Sequence, residues 1–282
     1  MIYPRNIVLN GKILDLSRPA VMAIINVTPD SFYTSSCCSD EKSLLFSVEK
    51  ALFEGAQIID VGGYSTRPGA PLVTEMDELE RVRAALKSIR VHFPNIAISC
   101  DTFRAKVAEC AVKEFDVALI NDISGGSLDK DMFDMVATLN VPYLLMHTKG
   151  TPQTMQEQTH YDHFLPELLH YFAQKIELLR AKGLTKEIVI DPGFGFAKTI
   201  SQNYELLRNM RIFETFNAPI LVGISRKSMI YKLLEIPPEE ALNGTSALHM
   251  LALEQGATIL RVHDVKAAQE VITLHRAYSG LI

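Results

Sequence analysis

Cationic excess is missing from this 282-residue chain: 28 lysines and arginines stand against 33 acidic residues, for a net charge of −5. Such a chain has no overall attraction for nucleic acid or an anionic membrane, so any anion it binds is gripped by local groups and small-molecule partners are expected. No stretch approaches the about 18 uninterrupted apolar residues that would span a bilayer, which excludes a membrane-spanning helix. The segment Met1–Leu16 lacks the basic stretch, long apolar run and small-residue cleavage site of a secretory leader, so the expected location is the cytoplasm. Cysteine is scarce. Cys37, Cys38, Cys100 and Cys110 have no C-x-x-C spacing, which excludes paired zinc or redox sites; all four are expected as free thiols, the adjacent pair in a polar loop. A Pro/Ser/Gly-rich linker is also absent, so residues 1–282 are expected to form one domain.

What is present is a core-forming composition, 48% hydrophobic and 22% charged, which excludes disorder. Ile7-Val8-Leu9 and Ile13-Leu14 flank Asn10-Gly11, predicting a short hairpin that plugs one end of a larger body. Apolar runs of strand length follow at Ala20–Asn26, Ala56–Gly62, Ile96–Asp101, Val117–Asn121, Pro142–His147, Ile188–Asp191, Pro219–Gly223 and Ala257–His263. Segments with helical spacing lie between them, including Glu41–Glu54, Glu75–Val91, His160–Lys182 and Pro238–Gln255, and Lys266–Tyr278 closes the chain. Near-continuous apolar strands alternating with helices imply an α/β fold with a buried parallel sheet. Eight repeats imply a (β/α)8 TIM barrel with a short N-terminal hairpin; an open doubly wound sheet is the alternative.

In such a barrel the reactive groups gather at the carboxyl ends of the strands. Nearly every run ends in polar residues: Asn26, Asp60, Asp101, Asn121 with Asp122, His147, Asp191, Ser225 with Lys227, and Arg261 with His263 and Asp264. A single Asp or Asn after a strand is commonly a helix cap. Repetition around the rim instead predicts a polar, ligand-binding mouth. Residues two apart on a strand share a face, so Arg261 and His263 project together, either as an anion clamp or in an interlayer salt bridge. Ser225-Arg226-Lys227 adds cation density where these barrels often hold phosphate, and Gly62-Gly63-Tyr64-Ser65-Thr66-Arg67-Pro68-Gly69 has the flexibility and donors of a phosphate-gripping loop. Asp101, Asn121 and Asp191, on three strands, suit a flat heterocycle rich in N–H donors, because ionised aspartate only accepts hydrogen bonds. His160-Tyr161-Asp162-His163, on a helical segment, is read as solvated surface rather than a metal site, and Cys100 as strand packing.

The loop Asn26-Val27-Thr28-Pro29-Asp30-Ser31-Phe32 resembles the opening loop of the dihydropteroate synthase family, and further blocks match in order. They are Asp60-Val61-Gly62-Gly63 with Ser65–Gly69, Ser99–Thr102, Asn121–Ile123, Met146-His147, Asp191–Phe196, Gly223–Lys227 and Arg261–Val265. The resemblance implies that Asp101, Asn121, Asp191 and Lys227 hold a pterin ring lined by Ile123, Met146, Gly223 and Phe196. It further implies that Asn26 helps to coordinate Mg2+ on a pyrophosphate contacted by Asn26, Thr66, Arg67, Arg261 and His263. Phe32, Thr66, Pro68, Phe196 and Ser228 would form the 4-aminobenzoate pocket. Catalysis would fall to Asp101, Lys227, Arg67, Arg261 and His263, in a homodimer joined through outer helices.

Two departures from the family pattern lie in the loops: Tyr33-Thr34-Ser35-Ser36 replaces a Ser-Asp-Gly-Gly-like stretch, and Tyr64 stands where Glu is usual. They bear on how the loops close and how aminobenzoate or its sulfonamide mimics bind. A methyltetrahydrofolate methyltransferase barrel would share the pterin pocket without the phosphate clamp. A noncatalytic pterin-binding protein would show no turnover.

Overall fold

The computed structural model describes residues 6–27, 37–64 and 72–281. Asn10 and Gly11 both have positive φ, 48° and 72°, the combination whose twist suits a two-residue hairpin. They join β1 (Asn6–Leu9) to β2 (Lys12–Asp15), antiparallel, with Leu9 opposite Lys12. Ile7, Leu9 and the following Leu16 are buried in one cluster with Met22, Ile58, Leu119, Leu221 and Ile259. Those five belong to the early turns of the later strands, so the hairpin plugs the amino-terminal end of the barrel as expected.

Eight parallel strands form the barrel: β3 (Ala20–Asn26), β4 (Ile58–Gly62), β5 (Ala97–Asp101), β6 (Leu119–Asp122), β7 (Tyr143–Met146), β8 (Ile188–Asp191), β9 (Leu221–Val222) and β10 (Ile259–Val262). Their order is β8-β7-β6-β5-β4-β3-β10-β9. The two ends of that series meet in a parallel bridge between Ile190 and Ile220, with the Ile190 amide donating to Pro219 O at 2.9 Å. The ring therefore closes, which settles the architecture as a TIM barrel against the open sheet. The seventh barrel strand is the shortest because Pro219 has no N–H for the ladder, and the Ile220 amide turns instead to Thr258 Oγ1 at 3.0 Å.

Strand parity divides the residues between two cores. Ile58, Leu119, Leu144, Val189, Leu221 and Ile259 point into the barrel. Their neighbours Ile59, Ile120, Leu145, Ile190, Val222 and Leu260 pack outward, in the cluster that the surrounding helices also join. The helix Glu75–His92 starts where expected because Thr74 Oγ1 accepts from the Asp77 amide at 3.2 Å. Three helix starts differ by several residues, and the helix expected from Pro238 begins at Leu242 after a single 3-10 turn. The first helix spans Cys37–Phe53, so Cys37 and Cys38 open a helix rather than sit in a loop. The helix expected from His160 begins at Phe164. Pro166 has no amide to give an upstream carbonyl and fits only the first turn, so His160–Asp162 fall outside the helix. No helix among the described residues is long and apolar enough to cross a membrane.

Candidate active site

Parity carries the polar strand ends to two different places. Asp60, Asp101, Asn121, Asp191 and Arg261 share the inward register with the apolar residues beneath them and rim the carboxyl end of the barrel. Asp122, one residue on, faces outward and accepts from Tyr143 Oη at 2.6 Å, the Ser124 amide at 2.7 Å and the Gly126 amide at 2.8 Å. It shapes a turn. His147 also faces away from the mouth, toward Lys198.

The centre of the mouth is an ion-pair cluster. Arg261 Nε donates to Asp60 Oδ2 at 2.7 Å and its Nη2 to Asp101 Oδ2 at 2.5 Å, while Asn121 Nδ2 donates to the same Asp60 oxygen at 3.0 Å. Burial pushes Asp101 up to about 7; Arg261 pulls the other way and Asp60 adds to the rise. Burial alone would loosen the proton on Arg261, but Asp60 and Asp101 more than reverse this, so the guanidinium stays charged. Of the two alternatives for Arg261, the structure shows the salt bridge, made with Asp60 and Asp101 at the inward strand ends. Asp60 Oδ1 and Ser99 Oγ, opposite each other on β4 and β5, are buried without a partner among the described residues, which leaves hydrogen-bonding capacity in the floor.

Asp191 closes the opposite side, where burial raises its pKa against the pull of Lys227. Its Oδ1 accepts from the Gly193 amide at 2.8 Å. Lys227 Nζ donates to Phe194 O at 2.6 Å and stands 4.5 Å from the centre of the Phe196 ring. Burial lowers its pKa to about 8, with Asp191 opposing. Gly223 lies against both cations, since a side-chain carbon there would stand 3.8 Å from Lys227 Nζ and 3.9 Å from Arg261 Cβ, ordinary contact distances. Ile123, Met146 and Phe196 are buried in the interior cluster. Met155, from the loop after β7, joins them there, and nothing in its spacing marked it.

Further out, His263 Nδ1 lies 3.0 Å from Ser225 Oγ, which also accepts the His263 amide at 3.3 Å. Asn26 ends β3, and a cavity of about 620 Å3 between the helices Cys37–Phe53 and Val265–Tyr278 (the latter following β10) shares Asn26 and His263 with the mouth. Arg226 corrects the expectation of added cation density: it makes a two-pronged pair with Asp264 at 2.8 and 2.9 Å and turns away from the site. Ser228 opens the helix Ser228–Leu234 beside Lys227. Phe32, Thr66, Arg67, Pro68 and Tyr33–Ser36 lie outside the described residues. Tyr64 is buried, its ring edge-on to Phe103 with centres 5.2 Å apart, and its hydroxyl accepts from Gln153 Nε2 at 3.0 Å.

The sequence marks Asp60 only as one of the polar strand ends, and its place at the hub follows from the same parity that places Asp101. Lys198 carried no signal in the sequence. Among the described residues no group of three or more His, Cys, Asp or Glu side chains is arranged to hold a metal. The one oxygen donor of Asn26 fits a hard cation that takes its other ligands from phosphate and water.

Comparison with known proteins agrees with this arrangement. The family profile described as pterin binding enzyme matches residues 22–263. Dihydropteroate synthase of Escherichia coli (strain K12) is 44% identical over 271 residues, covering 95% of this chain and 94% of that protein. Its Haemophilus influenzae counterpart is 39% identical, covering 95% and 97%. Among solved structures, Yersinia pestis dihydropteroate synthase with a sulfonamide drug complex superposes with a TM-score of 0.90 at 38% identity, covering 98% of this chain and 99% of that one. Xanthomonas albilineans dihydropteroate synthase with 4-aminobenzoic acid gives 0.88 at 35% identity, covering 99% of both chains. A barrel whose inward strand ends pair carboxylates with cations, matched over nearly its whole length by these enzymes, belongs to the pterin-binding family and within it to the dihydropteroate synthases.

Proposed function

We propose a division of labour at the barrel mouth for the family reaction, in which 6-hydroxymethyl-7,8-dihydropterin pyrophosphate and 4-aminobenzoate give 7,8-dihydropteroate and pyrophosphate in folate biosynthesis. The observation that carries it is the convergence of Asp101, Asn121, Asp191 and Lys227 on one interior from four different strand ends, around Arg261. The two carboxylates accept the pterin N–H groups, Asn121 and Lys227 donate to its ring acceptors, and Ile123, Met146, Gly223 and Phe196 enclose its faces. The whole chain acts as one pterin-binding unit.

Arg261 and His263, with Thr66 and Arg67 from the sequence that follows β4, grip the diphosphate. When bound there, Mg2+ held by Asn26 and the phosphates would offset negative charge on the leaving group. As the C–O bond to pyrophosphate breaks, Arg261, His263 and Arg67 neutralise the growing anion, and Asp101 stabilises positive charge spread over the pterin. The amine of 4-aminobenzoate, positioned by Phe32, Thr66, Pro68, Phe196 and Ser228, then attacks the methylene carbon with its lone pair, and the nitrogen releases one proton to solvent to leave the secondary amine. No protein nucleophile is required. Sulfonamides would compete at the aminobenzoate subsite. A cytoplasmic homodimer joined by outer helices is the proposed working form.

The test is pyrophosphate release from the pterin substrate with and without 4-aminobenzoate and Mg2+. Release that needs all three, with dihydropteroate formed in step, is the expected result. Tight pterin binding with no release would overturn the synthase assignment for this site.

A further inference from the structure

We propose that Lys198 is a positioning residue for the pterin: it pins the turn after β8 in the shape that presents Asp191, the Phe194 carbonyl and the Phe196 ring to the mouth. The inference rests on the functional reading above and concerns a residue to which that mechanism gives no part.

Lys198 is buried, 4% exposed, and its Nζ lies 3.0 Å from each of three acceptors: His147 Nδ1, Gly193 O and Phe196 O. An ammonium offers three N–H donors and no acceptor, so the number of partners matches the group. His147 can serve as one of them because burial and the neighbouring Lys198 hold its pKa far below the usual range, leaving the ring neutral with Nδ1 free to accept.

The pinned peptides are the ones that shape the pocket. Gly193 gives its carbonyl to Lys198 and its amide to Asp191 Oδ1, so fixing one end of this residue aims the carboxylate at the other. Only glycine fits there: φ is +75°, and a Cβ would meet His147 O at 2.0 Å. Phe196 gives its carbonyl to Lys198, its amide to Gly193 O at 3.1 Å and its ring to the face beneath Lys227 Nζ. Between them, Phe194 O holds Lys227 Nζ itself. Gly193 and Gly195 take positive φ without penalty, whereas Ala197, at φ +48°, holds a left-handed conformation that an alanine adopts only at a cost. Burial draws the Lys198 ammonium down to about 7 against the attraction of Asp191, with Lys227 and Lys149 adding repulsion. An aliphatic side chain would avoid that cost but deprive the Phe196 carbonyl and His147 Nδ1 of their donor, leaving Gly193 O with the Phe196 amide alone.

Lys198→Met keeps the stem and removes the donors. The expected result, in a variant that unfolds cooperatively in urea, is a rise of about tenfold in the Kd for 6-hydroxymethyl-7,8-dihydropterin, which has no phosphate. The Kd for inorganic pyrophosphate with Mg2+ is expected to stay within about twofold. General loosening of the barrel would weaken both ligands alike; that outcome, or an unchanged pterin Kd, overturns the inference. Should Lys198→Met fail to fold, His147→Leu leaves Lys198 with two acceptors and is expected to raise the pterin Kd alone by about threefold; no change there likewise overturns it. Loss of all pterin binding by the unsubstituted protein would overturn the functional reading together with this inference, whereas the variant results bear on Lys198 alone.

Discussion

Arg261 on β10 and Asp101 on β5 meet across the barrel mouth, Nη2 to Oδ2 at 2.5 Å. The group proposed to grip phosphate and the group proposed to hold the pterin therefore satisfy each other, and a substrate carrying both functions has to divide the pair. Its phosphate competes for the guanidinium while its ring N–H groups compete for the carboxylate. Asp101 can accept those N–H groups with both oxygens only when ionised, because protonation turns one of them into a donor, and burial sets its pKa at about 7, with Arg261 opposing. The value of kcat/KM for the pterin substrate should thus fall with falling pH below about 7, approaching tenfold per unit. Asp101→Asn should remove that limb and lower the plateau about 100-fold, the scale of a hydrogen bond to a charged group. A pH-rate profile of both proteins checks this, and an unchanged acid limb in Asp101→Asn would assign it to another group.

The same residue makes a separate prediction about stability. Its folded pKa lies above the ordinary 3.8, so between these values the folded protein holds a proton that the unfolded chain releases. Its contribution therefore favours folding at low pH and is lost as pH rises through about 7. Urea unfolding at about pH 5 and 8 should show Asp101→Asn gaining stability relative to the parent at the higher pH. A relative gain at the lower pH would mean that Arg261 outweighs burial at this carboxylate.

Ser225 ties down the outer imidazole of His263. Its Oγ accepts the His263 amide and lies 3.0 Å from Nδ1, fixing the imidazole at the rim. Ser225→Ala should raise the Kd for inorganic pyrophosphate by about fivefold, the scale of one neutral hydrogen bond, and leave that for a pterin without phosphates unchanged. Calorimetric titration with each ligand separates the two, and equal weakening would mean that Ser225 supports the whole rim.

Much of this site is legible from parity alone. Because Ile58 and Ile259 are core residues, Asp60 and Arg261 two places on have to face the same interior, and counting by two from each apolar run gives the rim. The pairing of Arg261 with Asp60 is not legible, since it depends on which strands lie across the barrel once the ring has closed. Arg226 misled for a related reason: its partner Asp264 is 38 residues away and becomes a neighbour only when β9 and β10 pair. Lys198 gives no pattern at all, because its acceptors are a ring nitrogen on one loop and two backbone carbonyls on another, and a sequence does not display backbone carbonyls as a motif.

Arg67 lies outside the described residues, and its proposed role rests on the sequence block Ser65–Gly69. Arg67→Ala should leave binding of a pterin without phosphates within about twofold and lower kcat about 100-fold, as expected for a group that neutralises charge mainly in the transition state. Equal loss of pterin binding would contradict that role.

Tyr64 tests whether its departure from the family's usual Glu has been absorbed by its surroundings. Its ring packs edge-on to Phe103, the Arg104 guanidinium lies 5.5 Å from the ring centre, and its hydroxyl takes the Gln153 amide from the loop after β7. Arg104 is anchored in turn by Glu78, a buried carboxylate at 2.6 Å whose pKa burial raises against the pull of Thr102 and Arg104. Tyr64→Phe removes one hydrogen bond and keeps the packing, so unfolding free energy should fall by about 1 kcal/mol. Gln153→Ala should cost a similar amount, and the double variant little more than either, giving a coupling of about 1 kcal/mol. Tyr64→Glu restores the family residue, but only one partner can welcome it: the carboxylate gains attraction from Arg104 and loses the face of Phe103. Losing an aromatic pair costs about 0.5–1.5 kcal/mol, so Tyr64→Glu should be less stable than Tyr64→Phe. A Tyr64→Glu variant as stable as the parent would show that Arg104 alone organises this side of the mouth.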